Sequence, residues 1–443
     1  MGKLFGTDGI RGVVGENLTA DMAFRVGQAV GTVLMEDKGS RPTVVIGKDT
    51  RISSDMLESA LMAGLCSVGS DVKPVGTIPT PAVAYLTVQE KADAGIVISA
   101  SHNPYEHNGI KVFSGQGYKL SDSVEARIEE KILSQEPMKL RTRGEIGRRH
   151  HGMRQLKRDY IDFVASTIES DLAGLKILAD CANGAAYHIA PDVYHELGAT
   201  VVCGGNTPDG FNINEGVGAT HTETLPDRVQ KAGCDIGIAL DGDADRLIMA
   251  DRHQVYNGDQ LLYLIAKDRL NRGELKGVVG TLMTNFAIEK QFKTLGVPFH
   301  RAKVGDRYVL EIMLKEGIDL GGEGSGHLII LDKQTTGDGI VSSLQVLSVL
   351  ARNRSTLEFV LSEVALTPQV LINRRYKAGY VWNEDQALLD AIKAVSKELE
   401  GKGRVLVRAS GTEPLVRVMV ECEDIGEAKK HAQALAELIP LEA

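Results

Sequence analysis

Asp235-Ile236-Gly237-Ile238-Ala239-Leu240 leads without a break into Asp241-Gly242-Asp243-Ala244-Asp245-Arg246. The first half reads as a short apolar strand and the second as the loop leaving its end. Three carboxylates at i, i+2 and i+4 repel one another unless a cation offsets them. On a flat strand, same-face positions lie about 6–7 Å apart, too far to share one small ion. Gly242 and Ala244 let the chain curl, so that Asp241, Asp243 and Asp245 converge on a hard divalent metal. A solvated acidic turn is the plain alternative. A calcium hand is disfavoured, because Arg246 stands where that loop requires glycine and Arg252 where it requires a terminal glutamate. The guanidinium of Arg246 beside the acids points to an anion next to the metal.

The same device, a strand whose end carries an unusual loop, recurs on either side. The apolar stretch 95–98 enters Ser99-Ala100-Ser101-His102-Asn103-Pro104, and 318–320 enters Gly321-Gly322-Glu323-Gly324-Ser325-Gly326-His327. A strand, helix, glycine, strand unit precedes each loop. The units open at 43–47, 175–179 and 277–281, and their helices close near Gly69, Gly198 and Gly296. Glycine there suits the left-handed turn that ends a helix. The expectation is three related α/β domains, each presenting one loop beyond a strand end, where such sheets bind ligands. Past residue 365 the pattern changes: a strand at 369–372, a helix carrying Leu388, Ile392, Val395 and Leu399, strands at 404–407 and 415–420, and a last helix from about Gly426. This reads as a smaller α+β domain. The expected divisions are 1–153, 154–255, 256–366 and 367–443.

The other three loops carry chemistry of their own. A serine hydroxyl such as that of Ser101 is a weak nucleophile until a base, metal or strong field activates it. An N-capping serine reads alike, and Ser99 competes for the role. Downstream, Asn108-Gly109-Ile110-Lys111 returns a lysine to the same region. Lys111 is a proton acceptor or phosphate partner if its pKa is lowered, and a surface lysine otherwise. The loop Arg408-Ala409-Ser410-Gly411-Thr412-Glu413-Pro414 has the composition of a phosphate cradle. Ser410, Gly411 and Thr412 offer N–H groups and hydroxyls, and Arg408 and Arg417 grip phosphate oxygens. A hairpin turn is the plain reading, and the GK[ST] ending of a nucleotide loop is absent. Glu323, Ser325 and His327, set among glycines, offer donors and acceptors suited to sugar hydroxyls.

Bulk numbers agree with a multidomain enzyme. A chain of 443 residues exceeds the roughly 250–300 at which single cores stop growing. The net charge of −9 gives no global support to nucleic-acid or anionic-membrane binding. The basic stretch from Arg148 to Arg158 reads as a solvated linker and helix start. Five scattered cysteines without CxxC spacing, no apolar run of about 18 residues and no leader pattern lead to the expectation of a cytoplasmic protein. Met1-Gly2 fails as a myristoylation signal, because Gly6 stands where Ser or Thr is needed.

Together the serine loop, the DGDADR loop, the GGEGSGH loop and the SGTEP loop resemble, in order and across the whole chain, the α-D-phosphohexomutase family. The opening Phe5-Gly6-Thr7-Asp8-Gly9-Ile10-Arg11-Gly12, the ISASHNP form of the serine loop and Pro208-Asp209-Gly210-Phe211-Asn212-Ile213-Asn214 resemble the branch that acts on glucosamine phosphate. The resemblance implies three α/β domains with mixed sheets plus a smaller α+β domain, heart-shaped around a central cleft. It implies one magnesium ion held by Asp241, Asp243, Asp245 and a phosphate oxygen on Ser101. Ser101 would be the phosphoserine and Lys111 the acid/base, with His102, Arg246 and Arg11 in the same site. Glu323, Ser325 and His327 would hold the sugar, and Arg408, Ser410, Gly411, Thr412 and Arg417 the phosphate that is not reacting. The implied reaction interconverts glucosamine 6-phosphate and glucosamine 1-phosphate through a bisphosphate, on the way to cell-wall precursors. Glucosamine or glucose 1,6-bisphosphate would be the activator, and a homodimer is compatible. A phosphomannomutase or phosphoglucomutase of the same family and a serine phosphatase are the alternatives. Two departures stand out: Gly324, where relatives carry a larger side chain, and Gly216-Val217-Gly218, where the branch often has cysteine.

Overall fold

Alternating strand and helix signals resolve into four sheets. The computed structural model describes residues 4–6, 8–134, 136–377, 379–409 and 415–441. In the first sheet the strands lie in the order Ile10–Val13, His107–Ser114, Ala94–Ile98, Thr43–Lys48, Asp71–Thr77. Thr43–Lys48 pairs in parallel with Ala94–Ile98 and Asp71–Thr77, as a helical crossover requires. His107–Ser114 then returns antiparallel beside Ala94–Ile98, and Ile10–Val13 joins it antiparallel. This return sets Lys111 opposite Val97 and Arg11 opposite Gly109. Lys111 is thus brought beside the strand that ends at the serine loop, with Arg11 one strand further out.

The second sheet repeats the mixed pattern: Val255–Tyr256, Leu247–Ala250, Ile236–Leu240, Lys176–Asp180, Thr200–Gly204. The third has Phe299–Ala302, Val278–Thr281, Leu320–Gly322 and Leu328–Ile330. Here the expected strand at 318–320 is displaced. It takes in Gly321 and Gly322, leaving 323–327 as the loop. A Cβ on Gly321 would stand 2.7 Å from Met313 Sδ and 2.9 Å from the Val279 carbonyl oxygen, so this glycine serves sheet packing. The fourth sheet is wholly antiparallel, Gln369–Arg375, Leu415–Cys422, Gly403–Ala409, covered by the helices Gln386–Glu398 and Ile425–Glu437.

The glycines expected to end helices do so: Gly69, Gly198 and Gly296 follow Ser54–Ser67, Ile189–Glu196 and Phe286–Thr294 with φ of 98°, 90° and 68°. One buried apolar cluster runs from Val83 and Phe113 of the first unit through Tyr160 and Tyr194 to Leu262 and Leu344. The three α/β units therefore share a core. At its centre lies the helix Gly339–Asn353, capped by Asp338, whose Oδ1 accepts the N–H groups of Ile340 and Val341 at 3.0 Å. The last unit keeps a core of its own, around Leu388, Val418 and Leu435.

Candidate active site

The serine loop is built from the sheet outward. Ala94–Ile98 is buried along its length, and the chain leaving it places Ser101 at φ +53°, a left-handed conformation that is strained for a residue with a side chain. A buried scaffold holds it there. Asp49 accepts hydrogen bonds from the hydroxyls of Ser99 (2.6 Å) and Ser54 (2.8 Å) and pairs with Arg51 at 2.8 Å. Arg51 Nη2 in turn donates to the carbonyl oxygens of Ser101 and Asn103, both at 2.9 Å. From the second unit, Asn214 Nδ2 donates to the same two carbonyls at 2.9 and 3.2 Å. Ser99 thus spends its hydroxyl on Asp49 and on accepting the Ser101 N–H at 3.0 Å. The Ser101 hydroxyl is the one turned toward the metal loop, donating to Asp241 Oδ2 at 2.6 Å, with His102 Nδ1 at 3.3 Å.

The metal loop curls as its small residues allow. Ala244 takes φ +59°, and Gly242 passes so close to the serine loop that a Cβ would stand 2.5 Å from the Ser101 carbonyl oxygen. The ligand oxygens of Asp241, Asp243 and Asp245 all lie within 4.8 Å of one another, and all three residues are buried. Asp243 Oδ1 and Asp245 Oδ1 have no hydrogen-bond partner among the described residues. Burial and the charges of its two neighbours push the Asp241 carboxyl up to about 8, whereas Lys111 and His327 hold Asp245 well below the usual carboxylate range against its burial. Converging hard oxygens, two of them unpaired, fit a divalent cation.

Lys111, 2% exposed, donates to Asp243 Oδ2 at 2.8 Å and pairs with Asp8 at 2.9 Å. Burial alone would depress its pKa. The charges of Asp243, Asp8 and Asp245 outweigh it and raise the pKa well above the ordinary value. The condition set in the sequence, a lowered pKa, is not met, and Lys111 enters the site as a cation. His102 goes the other way: burial and then Arg246 and Arg11 lower it to about 4, so it is neutral at pH 7. Arg11 pairs with Asp8, and its Nε lacks a partner among the described residues.

A cleft of about 750 Å³ opens in front of these loops, and His102, Arg246, Glu323, Gly324, Ser325 and Arg417 are among its walls. Glu323 Oε1 is steadied by the Gly305 N–H at 2.9 Å. His327 does not line the cleft. It stands behind the metal loop, 3.7 Å from Asp245 and 3.6 Å from Asp306, and Asp245 followed by Asp306 raises its pKa to about 9 against burial. Arg408 and Arg417 face each other across paired strands. Burial and the neighbouring Arg417 charge lower the Arg408 pKa, and Arg417 Nε has no partner among the described residues. Ser410, Gly411 and Thr412 lie outside the described residues.

Asp8, Asp49, Arg51, Lys119 and Asn214 were not singled out in the sequence. Lys119 bridges Asp8 (2.7 Å) and Asp306 (2.6 Å), so ion pairs continue from the metal loop through Lys111, Asp8, Lys119 and Asp306 to His327. The one signal for Asn214 was its place at the end of the Pro208 to Asn214 stretch.

A cleft walled in part by Arg246 and Arg417, beside a hydroxyl held against buried carboxylates, marks the class of metal-assisted proteins that handle phosphorylated ligands. The chain belongs to the phosphoglucomutase/phosphomannomutase family. Its alpha/beta/alpha domain I model matches residues 2–139, domain II 158–255, domain III 257–366 and the C-terminal domain 371–438. The chain is 53% identical over 440 residues to a phosphoglucosamine mutase of Janthinobacterium sp. (strain Marseille), covering 98% of each. It is 54% identical over 445 residues to a phosphoglucosamine mutase of Cupriavidus pinatubonensis, covering 99% of each. Among solved structures, a phosphoglucomutase/phosphomannomutase family protein of Burkholderia thailandensis has the same fold, with a TM-score of 0.81 at 24% identity over 98% of this chain and 97% of that one. An N-acetylphosphoglucosamine mutase of Aspergillus fumigatus, in complex with GlcNAc-6P and magnesium, shares the fold at a TM-score of 0.66 and 18% identity over 94% and 98%.

Proposed function

We propose that this chain interconverts glucosamine 6-phosphate and glucosamine 1-phosphate, carrying the phosphoryl group on Ser101 Oγ. The observation that carries the reading is the Ser101 hydroxyl, 2.6 Å from Asp241 and next to His102, which lines a cleft together with Glu323, Ser325 and Arg417. Near 53% identity to phosphoglucosamine mutases over nearly the whole chain supports the amino sugar as substrate. The unit divisions proposed are 1–153, 154–255, 256–366 and 367–443, and the compartment proposed is the cytoplasm.

In the forward half, the bond from Ser101 Oγ to phosphorus breaks as one from a sugar hydroxyl oxygen to phosphorus forms, and the hydroxyl proton passes to the released Oγ. The bisphosphate turns over, and its other phosphate returns to Oγ in the reverse of that step. A hexose 1,6-bisphosphate serves as activator by phosphorylating any Ser101 that has lost its group. Asp241, Asp243, Asp245 and a phosphate oxygen on Ser101 would hold magnesium, which when bound neutralises charge on the transferring group. Lys111, Arg11 and Arg246 add positive field, and Lys111, held protonated, serves on the acid side of acid/base exchange. Neutral His102 gives the Oγ a hydrogen-bonding partner. Glu323 and Ser325 hold sugar hydroxyls, with His327 fixing the metal loop behind them. Arg408 and Arg417, with Ser410, Gly411 and Thr412, hold whichever phosphate is not reacting.

The test has two parts. Turnover of glucosamine 6-phosphate is followed by phosphorus NMR, and intact mass with phosphopeptide mapping is read after exposure to glucose 1,6-bisphosphate. The expected results are a 1-phosphate product and a phosphoryl group on Ser101. No turnover of glucosamine phosphate, or a phosphoryl group on Ser99, would overturn the reading.

A further inference from the structure

Asp259 also lines the cleft, and nothing in the mechanism above uses it. It lies in the first turn of the helix Gly258–Asn271, and that turn packs on the sugar loop: the Gly258 N–H donates to the Gly324 carbonyl at 3.1 Å. One carboxylate oxygen, Oδ2, accepts the Asn285 N–H at 2.9 Å. The other, Oδ1, is buried without a hydrogen-bond partner among the described residues. The residue as a whole is 3% exposed. Burial, with the Glu421 charge, pushes its pKa up to about 6 even though the Asn285 N–H, the Arg301 charge and the Thr284 hydroxyl pull it down. Gly324 lies against this carboxylate and puts no side chain beside it. A Cβ there would stand 3.1 Å from Oδ2 and 3.4 Å from Oδ1, and Gly324 does not need its glycine for a left-handed backbone.

An unpaired buried carboxylate beside Glu323 and Ser325 matches one feature that separates glucosamine from glucose, the ammonium in place of a hydroxyl. We infer that Asp259 determines sugar specificity by receiving the ammonium group of the substrate, and that the missing side chain at Gly324 leaves this carboxylate free of crowding. This rests on the glucosamine reading above. The isosteric Asp259→Asn keeps an oxygen for the Asn285 N–H and turns a second donor toward the ammonium.

The experiment compares kcat/KM for glucosamine 1-phosphate and glucose 1-phosphate in wild type, Asp259→Asn and Gly324→Ala, at fixed magnesium and activator. A charge-assisted hydrogen bond corresponds to about a ten- to hundredfold effect. The glucosamine-to-glucose ratio is therefore expected to fall by about that factor in Asp259→Asn and in the same direction in Gly324→Ala. A damaged scaffold would lower both substrates together and leave the ratio where it was. An unchanged ratio in Asp259→Asn overturns the inference. A wild-type protein without preference for glucosamine phosphate overturns instead the substrate reading beneath it.

Discussion

Ser101 and Ala244 both sit in left-handed backbone, at φ +53° and +59°, as do Ala182, Asn183 and Asn214 nearby in the second unit. Each such non-glycine residue costs on the order of 1–2 kcal/mol, so the surrounding hydrogen bonds must over-determine the geometry. Their effect is to aim one hydroxyl at the acids. Ser101→Ala is expected to abolish turnover while leaving the thermal midpoint and sugar-phosphate binding close to wild type, because Asp49 and Arg51 hold the loop by its backbone and by Ser99. Substantial residual mutase activity would refute Ser101 as carrier. Asp243→Asn is expected to lower activity by more than about a hundredfold, the several kcal/mol a catalytic metal contributes, and to flatten the response to added magnesium. It also removes charge from the closest carboxylate partner of Lys111. Full activity of the wild type in excess chelator would end the metal reading. At this scale the sequence was legible wherever function is written as residue type and spacing, as in the three aspartates. Asp49 was not, because its partner Ser99 lies 50 residues on and only folding joins them.

At the scale of elements, the strand ends came through the sequence because apolar runs and terminal glycines are local signals. The order of strands in each sheet did not, since pairing is decided between segments. The return of His107–Ser114 beside Ala94–Ile98, which delivers Lys111, is the clearest case. The third loop was misjudged by length, because Gly321 and Gly322 look like loop residues while serving a strand packed against Met313 and Leu328. Glycine has a different task in the metal loop. A methyl group on Gly242 would stand 2.5 Å from the Ser101 carbonyl oxygen and 2.8 Å from Asn214 Nδ2, both groups that fix the nucleophile. Gly242→Ala is therefore expected to push the two loops apart, costing about 1–3 kcal/mol of stability and most of the turnover. Gly144→Ala, with open space around its position, is the control and should match wild type in denaturant midpoint and activity. Equal behaviour of the two variants would mean that the loops have slack the contact distances deny.

For the whole molecule, the question is what joins units that the sequence shows only as repeats. Besides the core they share, the first and third units are joined by polar contacts: Lys119 to Asp306, 187 residues apart, and Arg307 to Glu125 and to the Leu120 carbonyl. None is visible in the sequence, where each is an ordinary charged residue on an ordinary helix or loop. The last unit has a separate core, so its attachment depends more on a few groups. Glu421, fully buried on Leu415–Cys422, pairs with Arg404 and accepts hydrogen bonds from Asn285 Nδ2 (3.3 Å) and the Phe286 N–H (3.2 Å) of the third unit. Arg404 reaches across as well, donating to the carbonyl oxygens of Leu282 (2.7 Å) and Thr284 (2.8 Å). Removing one charge from a buried pair strands the other, at a cost of about 3–5 kcal/mol. Glu421→Gln should therefore loosen the last unit, and with it the Arg417 wall of the cleft, before the shared core of the other three is affected. The single tryptophan, Trp382, belongs to that unit and reports on it alone. In urea, its fluorescence should change at a lower concentration than the far-ultraviolet dichroism of the whole chain, and the KM for sugar phosphate should rise. Lys290→Ala, which breaks only the exposed pair with Glu423, should shift neither by more than about 1 kcal/mol. Coincident transitions at the wild-type midpoint in Glu421→Gln would mean that apolar contact, and not this seam, holds the fourth unit in place.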